Sequence, residues 1–221
     1  MRAVAIDGPA GAGKSTIAKR LAKDLGFIYV DTGALYRAIG LHTLRKGVDI
    51  HDTEGVIGLL PEITVDIQYV GAEQHVFLNG EDVNGLIRTE PVSMAASAVS
   101  AIPEVRTFLL ETQRRLAREY SVVMDGRDIG TVILPDAECK IFLTASPEVR
   151  ARRRYAELVA KGVKAVYEDV LADLKRRDWD DSHRETAPLK LAEDGIEVDT
   201  SGLELEQAIA MVKEVVMRKL G

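Results

Sequence analysis

Gly8-Pro9-Ala10-Gly11-Ala12-Gly13-Lys14-Ser15 stands between a short apolar run, residues 2–6 (Arg-Ala-Val-Ala-Ile), and a helical pattern of Ile17, Ala18, Leu21, Ala22 and Leu25 that Gly26 closes. The octapeptide satisfies G-x-x-x-x-G-K-[ST] in the strand-turn-helix context that its mechanism needs. Glycines let backbone amides wrap a phosphate without Cβ clashes, and a helix N-terminus adds partial positive charge where the anion sits. Lys14 is placed to reach β- and γ-phosphates, and the Ser15 hydroxyl to ligate Mg²⁺. Working outward, Phe27-Ile28-Tyr29-Val30, Val122-Val123-Met124, Ile141-Phe142-Leu143 and Ile196-Glu197-Val198 read as further strands. Helical spacings separate them, including Val105/Phe108/Leu109/Thr112/Leu116 and Leu205/Ala208/Ile209/Val212/Val216. Strands alternating with helices predict an α/β fold on a parallel sheet.

Two stretches break that rhythm. Ile63, Val65, Ile67 and Tyr69 alternate with polar residues, and His75-Val76-Phe77-Leu78 then meets Asn79-Gly80, a strong hairpin signal. This predicts a small antiparallel satellite within 63–83. In 150–188, Ser146 and Pro147 predict a capped helix start, followed by Arg150, Arg152, Arg153 and Arg154, then Arg176, Arg177 and Arg184 interleaved with Asp178, Asp180 and Asp181. Such a charge run reads equally as a solvated helix face.

Composition narrows the classes. Of 221 residues, 46% are hydrophobic and 29% charged, which excludes disordered and fibrous chains. One cysteine, Cys139, permits no internal disulfide or cysteine-based zinc site, and the four histidines lack metal-ligand spacing. A net charge of −6 argues against a general nucleic-acid partner, while leaving room for a local basic site. No apolar run reaches the roughly 18 residues of a membrane span, and Asp7-Gly8 come too early for a signal peptide, so a cytoplasmic location is expected. Asp125 ends its strand near the same sheet edge as the glycine loop and suits a second magnesium-coordinating acid. No guanine-specific Asn-Lys-x-Asp motif occurs.

Asp31-Thr32-Gly33-Ala34-Leu35-Tyr36-Arg37, Asp125-Gly126-Arg127-Asp128-Ile129-Gly130-Thr131, and Asp181-Ser182-His183-Arg184 through Pro188-Leu189, in this order, resemble the bacterial cytidylate kinase family along essentially the whole chain. Ser97 and Pro103-Glu104-Val105-Arg106 match within the long insert of the bacterial type. The resemblance implies a P-loop NTPase three-layer fold with a five-stranded parallel sheet, an inserted NMP-binding subdomain with the antiparallel element, and a helical lid. On this reading residues 1–33, 120–150 and 189–221 form the core, 34–119 the NMP-binding subdomain and 150–188 the lid. It further implies transfer of the ATP γ-phosphoryl group to CMP or dCMP, with Mg²⁺.

Gly8, Pro9, Ala10, Gly11, Ala12, Gly13, Lys14, Ser15 and Thr16 would hold ATP, with Arg150 and Arg153 approaching its phosphates when the lid closes. Ser15 and Asp125 would hold the metal. Arg37, Arg127 and Arg184 would grip the acceptor phosphate, Ser97, Arg106 and Asp128 read the cytosine, and Asp181 contact the sugar. Thr32 keeps a hydroxyl where the family often has serine and would contact the sugar or phosphate of the acceptor. Lys14, Asp125, Arg127 and Arg184 are the expected catalytic set. Arginines are fixed, always-charged forks for phosphate oxygens. The acceptor phosphate is its own ionised nucleophile, so no general base is needed. A monomer is expected, with Trp179 a packing group in the lid and His183 solvated. Another P-loop small-molecule kinase, for shikimate or dephospho-coenzyme A, would share the glycine loop but not Ser97, Arg106 and Asp128. A nucleotide-dependent switch would lack a small acceptor.

Overall fold

The computed structural model of the protein describes residues 1–71 and 73–221. Its strands are β1 (Ala3–Asp7), β2 (Ile28–Asp31), β3 (Val65–Val70), β4 (Glu73–Leu78), β5 (Glu81–Asp82), β6 (Val122–Gly126), β7 (Cys139–Thr144) and β8 (Ile196–Asp199). Its helices are α1 (Lys14–Leu25), α2 (Thr32–Arg45), α3 (Thr53–Leu59), α4 (Glu90–Val99), α5 (Pro103–Glu119), α6 (Pro147–Ala160), α7 (Tyr167–His183) and α8 (Leu205–Leu220). The five strands expected from the sequence pair in parallel in the order β2-β6-β1-β7-β8. Successive side chains in a strand point to opposite faces, and here both faces are covered. Val4 and Ile6 pack with Ile17, Leu21, Val212 and Val216 of α1 and α8. Ala5 and Met124 pack with Leu35, Ile39 and Leu109 of α2 and α5. That is why the runs are continuous rather than alternating, and why the fold has three layers.

Register does the rest of the positioning. Asp31 lies opposite Asp125, Asp125 opposite Ile6, and Asp7 opposite Gly126. Three strands thus bring acids together at or next to their last residues, at the carboxyl edge where open α/β sheets bind ligands. Gly8 leaves β1 with φ 147 so close to β7 that an added Cβ would run into the Leu143 carbonyl oxygen. Gly26 closes α1 at φ 69, as its position predicted.

The expected antiparallel element is present as a three-stranded sheet, β3-β4-β5, in which Asn79-Gly80 (φ 51 and 84) makes the tight turn that follows β4 and leads into β5. Val65, Ile67, Val76, Leu78 and Val83 also bury into the same cluster as Ala5 and Leu35. The sheet therefore extends the core and has no hydrophobic centre of its own.

Ser146 caps α6 by accepting from the Val149 amide at 3.4 Å, with Pro147 in the first turn, as the sequence predicted. α6 and α7 bury few side chains, notably Arg150, Ala151 and Leu174, and Tyr155 meets Tyr167 edge-on at 6.3 Å. Trp179 is not a packing group: it is exposed and stacks on His183 at 3.6 Å between ring centroids. Among the described residues no helix is long and apolar enough to cross a membrane.

Candidate active site

The glycine loop opens directly into α1, whose first amides have no intrahelical partner and face the cleft. Lys14 is buried at the base of the loop, and among the described residues its Nζ donates only to the Pro9 carbonyl, at 2.8 Å. Burial drives its ammonium down to about 7, Arg127 adds to this, and Asp125, Asp181 and Asp7 oppose it. Asp125 receives the Ser15 hydroxyl on Oδ2 at 2.8 Å and the Tyr29 hydroxyl on Oδ1 at 3.1 Å. Burial, with Asp31 beside it, pushes the Asp125 carboxyl up to about 6 against Lys14 and these two donors.

Arg150 and Arg153, expected to approach ATP phosphates when the lid closes, are both engaged by the protein itself in this structure. Arg150 lies beneath the loop. It donates to the Ala10 carbonyl at 2.9 Å and the Ala145 carbonyl at 2.8 Å, and it forks onto Asp178 at 3.0 and 2.5 Å. Arg153 turns to the Thr200 carbonyl at 2.9 Å and hydroxyl at 3.3 Å. The phase of α6 turns both toward the core and leaves Arg154 to line the cleft. Arg150 ties the phosphate loop to α7; Arg153 ties α6 to the turn before α8.

On the opposite wall, each expected phosphate-gripping arginine rests on a carboxylate. Asp31 caps α2 by accepting from the Ala34 amide at 3.1 Å, while its Oδ2 holds Arg37 at 3.3 Å and Arg88 at 3.4 Å. Burial alone would raise this carboxyl, but the two guanidiniums hold it below its usual range. Arg127 Nε donates to Asp181 Oδ2 at 2.6 Å. Arg184 stands 3.7 Å from Asp181 and 3.8 Å from Asp128, with its Nε on the Ala187 carbonyl at 2.8 Å. Its Nη2 is buried without a hydrogen-bond partner. Burial, with Arg106 nearby, pushes the Arg184 guanidinium below its ordinary value, against the opposing pull of Asp181 and Asp128.

Asp128 is paired with Arg106 in a buried ion pair; Arg106 also donates to the Ser100 carbonyl at 3.0 Å and sits over the Tyr36 ring at 5.5 Å. Ser97 lines the same recess. The loop that projects Arg127 and Asp128 is held from below, where Asp7 accepts from the Ile129 and Gly130 amides at 2.7 Å each. Thr32 donates to the Asp125 carbonyl at 2.8 Å, so its hydroxyl braces the strand end. Lys14, Ser15, Arg37, Asp125 and Arg127 share one cleft of about 1240 Å³, ample for two nucleotides.

The cytidylate kinase family model matches residues 4–218. The chain belongs to the cytidylate kinase family. It is 50% identical to the cytidylate kinase of Caldicellulosiruptor saccharolyticus over 99% of this chain and 96% of that one. It is 51% identical to that of Caldanaerobacter subterraneus subsp. tengcongensis, over 97% and 94% of the two chains. Solved structures agree on the fold alone. An uncharacterized protein from Eubacterium ventriosum superposes with a TM-score of 0.54 at 14% identity, covering 98% of this chain and 99% of that one. Shikimate kinase from Bacteroides thetaiotaomicron superposes at 0.50 and 15%, with 98% of each chain covered. Family membership makes the chain an ATP-dependent nucleoside monophosphate kinase for CMP and dCMP and removes the shikimate, coenzyme and switch alternatives.

Arg88, Arg154 and Arg177 line the cleft without having been singled out as site residues, and Arg177 donates to the Ser93 carbonyl of α4 at 3.3 Å. Arg88 sits in no motif. Asp31 and Asp7 did carry a signal, since each ends a strand at the ligand edge.

Proposed function

We propose that the cleft carries out in-line transfer from ATP to CMP or dCMP by positioning and charge stabilisation, with Arg37, Arg127 and Arg184 holding the acceptor phosphate. The observation that carries this assignment is the buried Arg184 guanidinium, whose Nη2 makes no hydrogen bond among the described residues and whose two carboxylate neighbours, Asp128 and Asp181, stand back at 3.8 and 3.7 Å. An unsatisfied buried donor of this kind is costly unless a ligand completes it. A phosphate oxygen supplies the missing acceptor, and Arg127 and Arg37 approach the same space from two other elements. Ser97, Arg106 and Asp128 face the base, and Asp181 the sugar. Gly8 to Thr16 hold the triphosphate, with Lys14 turning from Pro9 to it. Held at in-line distance in a dry cleft, the acceptor oxygen needs no added base.

The Ser15 hydroxyl and Asp125 carboxylate, 2.8 Å apart, are hard oxygen donors that fit Mg²⁺. When bound, this ion neutralises charge on the β- and γ-phosphate oxygens. Tyr29 orients the Asp125 carboxylate and Thr32 braces its backbone.

Coupled ADP release with Mg-ATP tests the reading. Fast turnover with CMP and dCMP, and turnover with UMP, AMP and GMP lower by at least about 10², is expected from a site built on base hydrogen bonds. Comparable rates with all five would reject the base-reading set. The pH dependence has a definite sign. Lys14 is protonated below about pH 7 in the free protein and loses its proton above it. kcat/KM for ATP should therefore fall on the alkaline side of about 7, whereas kcat stays level because bound phosphates hold the proton on. A flat kcat/KM profile from pH 6 to 9 would show that Lys14 is charged throughout.

Residues 150–188 act in this reading as the lid. α6 and α7 have few buried side chains and meet the acceptor wall through Arg177, while Arg150 and Arg153 tether the start of α6, so closure swings the rest of the segment about those tethers. ATP and CMP together should protect this segment from trypsin more than either does alone; unchanged cleavage would mean a fixed arm.

A further inference from the structure

β2 is the edge strand of the parallel sheet, so one row of its backbone groups lacks a strand partner. The three-stranded sheet meets that edge with side chains. Tyr69 and Gln74 face each other across β3 and β4. The Tyr69 hydroxyl donates to the Tyr29 carbonyl at 2.9 Å. Gln74 grips the next outward-facing residue twice: its Oε1 accepts from the Asp31 amide at 2.8 Å, and its Nε2 donates to the Asp31 carbonyl at 3.2 Å. One carboxamide thus serves as a one-residue strand, satisfying both backbone groups of Asp31 where β2 turns into α2.

Asp31 is where the acceptor arginines meet. Its Oδ1 caps α2, which carries Arg37, and its Oδ2 holds both Arg37 and Arg88. The fit is close, since a Cβ on Gly33 would come within 3.2 Å of Asp31 Oδ1 and 3.5 Å of Arg37 Nη2. A carboxylate whose backbone is clamped presents its lone pairs in one direction, and the guanidiniums on it inherit that direction. A shift of an ångström in such a group is enough to cost up to about 10² in rate or binding.

We propose that Gln74 is a positioning residue for the acceptor phosphate, acting through Asp31 on Arg37 and Arg88. This gives the antiparallel sheet a part in the reaction besides extending the core, and it rests on the reading that Arg37 holds the acceptor phosphate. Gln74 touches neither nucleotide, so its effect falls on one substrate and one part of it.

Gln74→Met keeps length and packing but removes both hydrogen bonds. In the full chain it should raise KM for CMP about tenfold, the loss of two neutral hydrogen bonds' worth of ordering, while KM for ATP and kcat at saturating CMP move less than about twofold. Calorimetry should show weaker CMP binding with cytidine binding unchanged, because cytidine lacks the phosphate. In an Arg37→Met background the same change should add less than about twofold. If Gln74→Met does not fold, Gln74→Glu keeps an acceptor toward the Asp31 amide, sets a charged oxygen against the Asp31 carbonyl in place of the donor, and should show a shift of the same pattern at least as large. Parallel losses in CMP, cytidine and ATP binding would mean a merely structural role and overturn the proposal. A strong Arg37→Met effect with none from Gln74→Met or Gln74→Glu would overturn it while leaving the phosphate-site reading intact. No effect of Arg37→Met on CMP binding would remove both.

Discussion

Replacing Lys14 with methionine should lower kcat at saturating ATP and CMP by about 10³, or roughly 4 kcal/mol of transition-state stabilisation. The size follows from the role. Removing one preorganised donor to a developing oxyanion costs about 10²–10³, and cationic groups on a transferring phosphoryl group are worth up to about 10⁵. The geometry supports the upper part of the first range, because Lys14 is buried and among the described residues its Nζ is held only by the Pro9 carbonyl at 2.8 Å. No carboxylate has to be released before it turns to a phosphate. The same burial gives the test a second sign. An ammonium held down to about 7 by burial and Arg127 sits where methionine sits more comfortably, so the variant's melting temperature should stay level or rise. Quench-flow under single-turnover conditions separates this from product release, and thermal unfolding excludes collapse. A loss in kcat under about tenfold would mean that Lys14 is a structural plug for the loop, with the work done by backbone amides and arginines.

Much of the architecture can be read from the residues because it depends on local signals. A strand buried on both faces must be a continuous apolar run, and four such runs exist, with the alternating Ile196-Glu197-Val198 supplying an edge strand. A glycine loop leading into a helix has one common use, and Asp125 at a strand end falls opposite Asp31 once register is set. The misreadings share one cause: they depend on partners distant in sequence. Four arginines in 150–154 look alike as text, and which of them lines the cleft is fixed by the phase of α6, by Asp178 and by the Ala10 carbonyl. Alternating Ile63, Val65 and Ile67 announce a half-buried strand but not what covers it, and the cover turned out to be the main core. Arg88 and Gln74 stand in no motif. Their significance lies in the oxygen and backbone atoms of Asp31, which only the folded chain brings to them.

Asp128→Asn should erase about 10² of the preference for CMP over UMP in kcat/KM, and the structure says which way the new side chain faces. Arg106, buried on Asp128 and on the Ser100 carbonyl, can donate only, so it draws the asparagine oxygen toward itself. The asparagine NH₂ group then faces the base and Arg184. Cytosine presents an amino donor at that edge and uracil a carbonyl acceptor, so the exchange turns a matched pair with CMP into donor against donor, and a clash with UMP into a match. Sites built on such a bond discriminate by up to about 10⁴–10⁵, and unpaired buried groups supply most of that ratio. A stability cost of about 1–3 kcal/mol should accompany the change, because Arg106 exchanges a charged partner for a neutral one. Competition between CMP and UMP in one reaction cancels that cost, since both acceptors meet the same folded fraction. If both rates fall together and the ratio holds, Asp128 serves only as the buried partner of Arg106, and recognition of the base passes to Ser97 and Arg106.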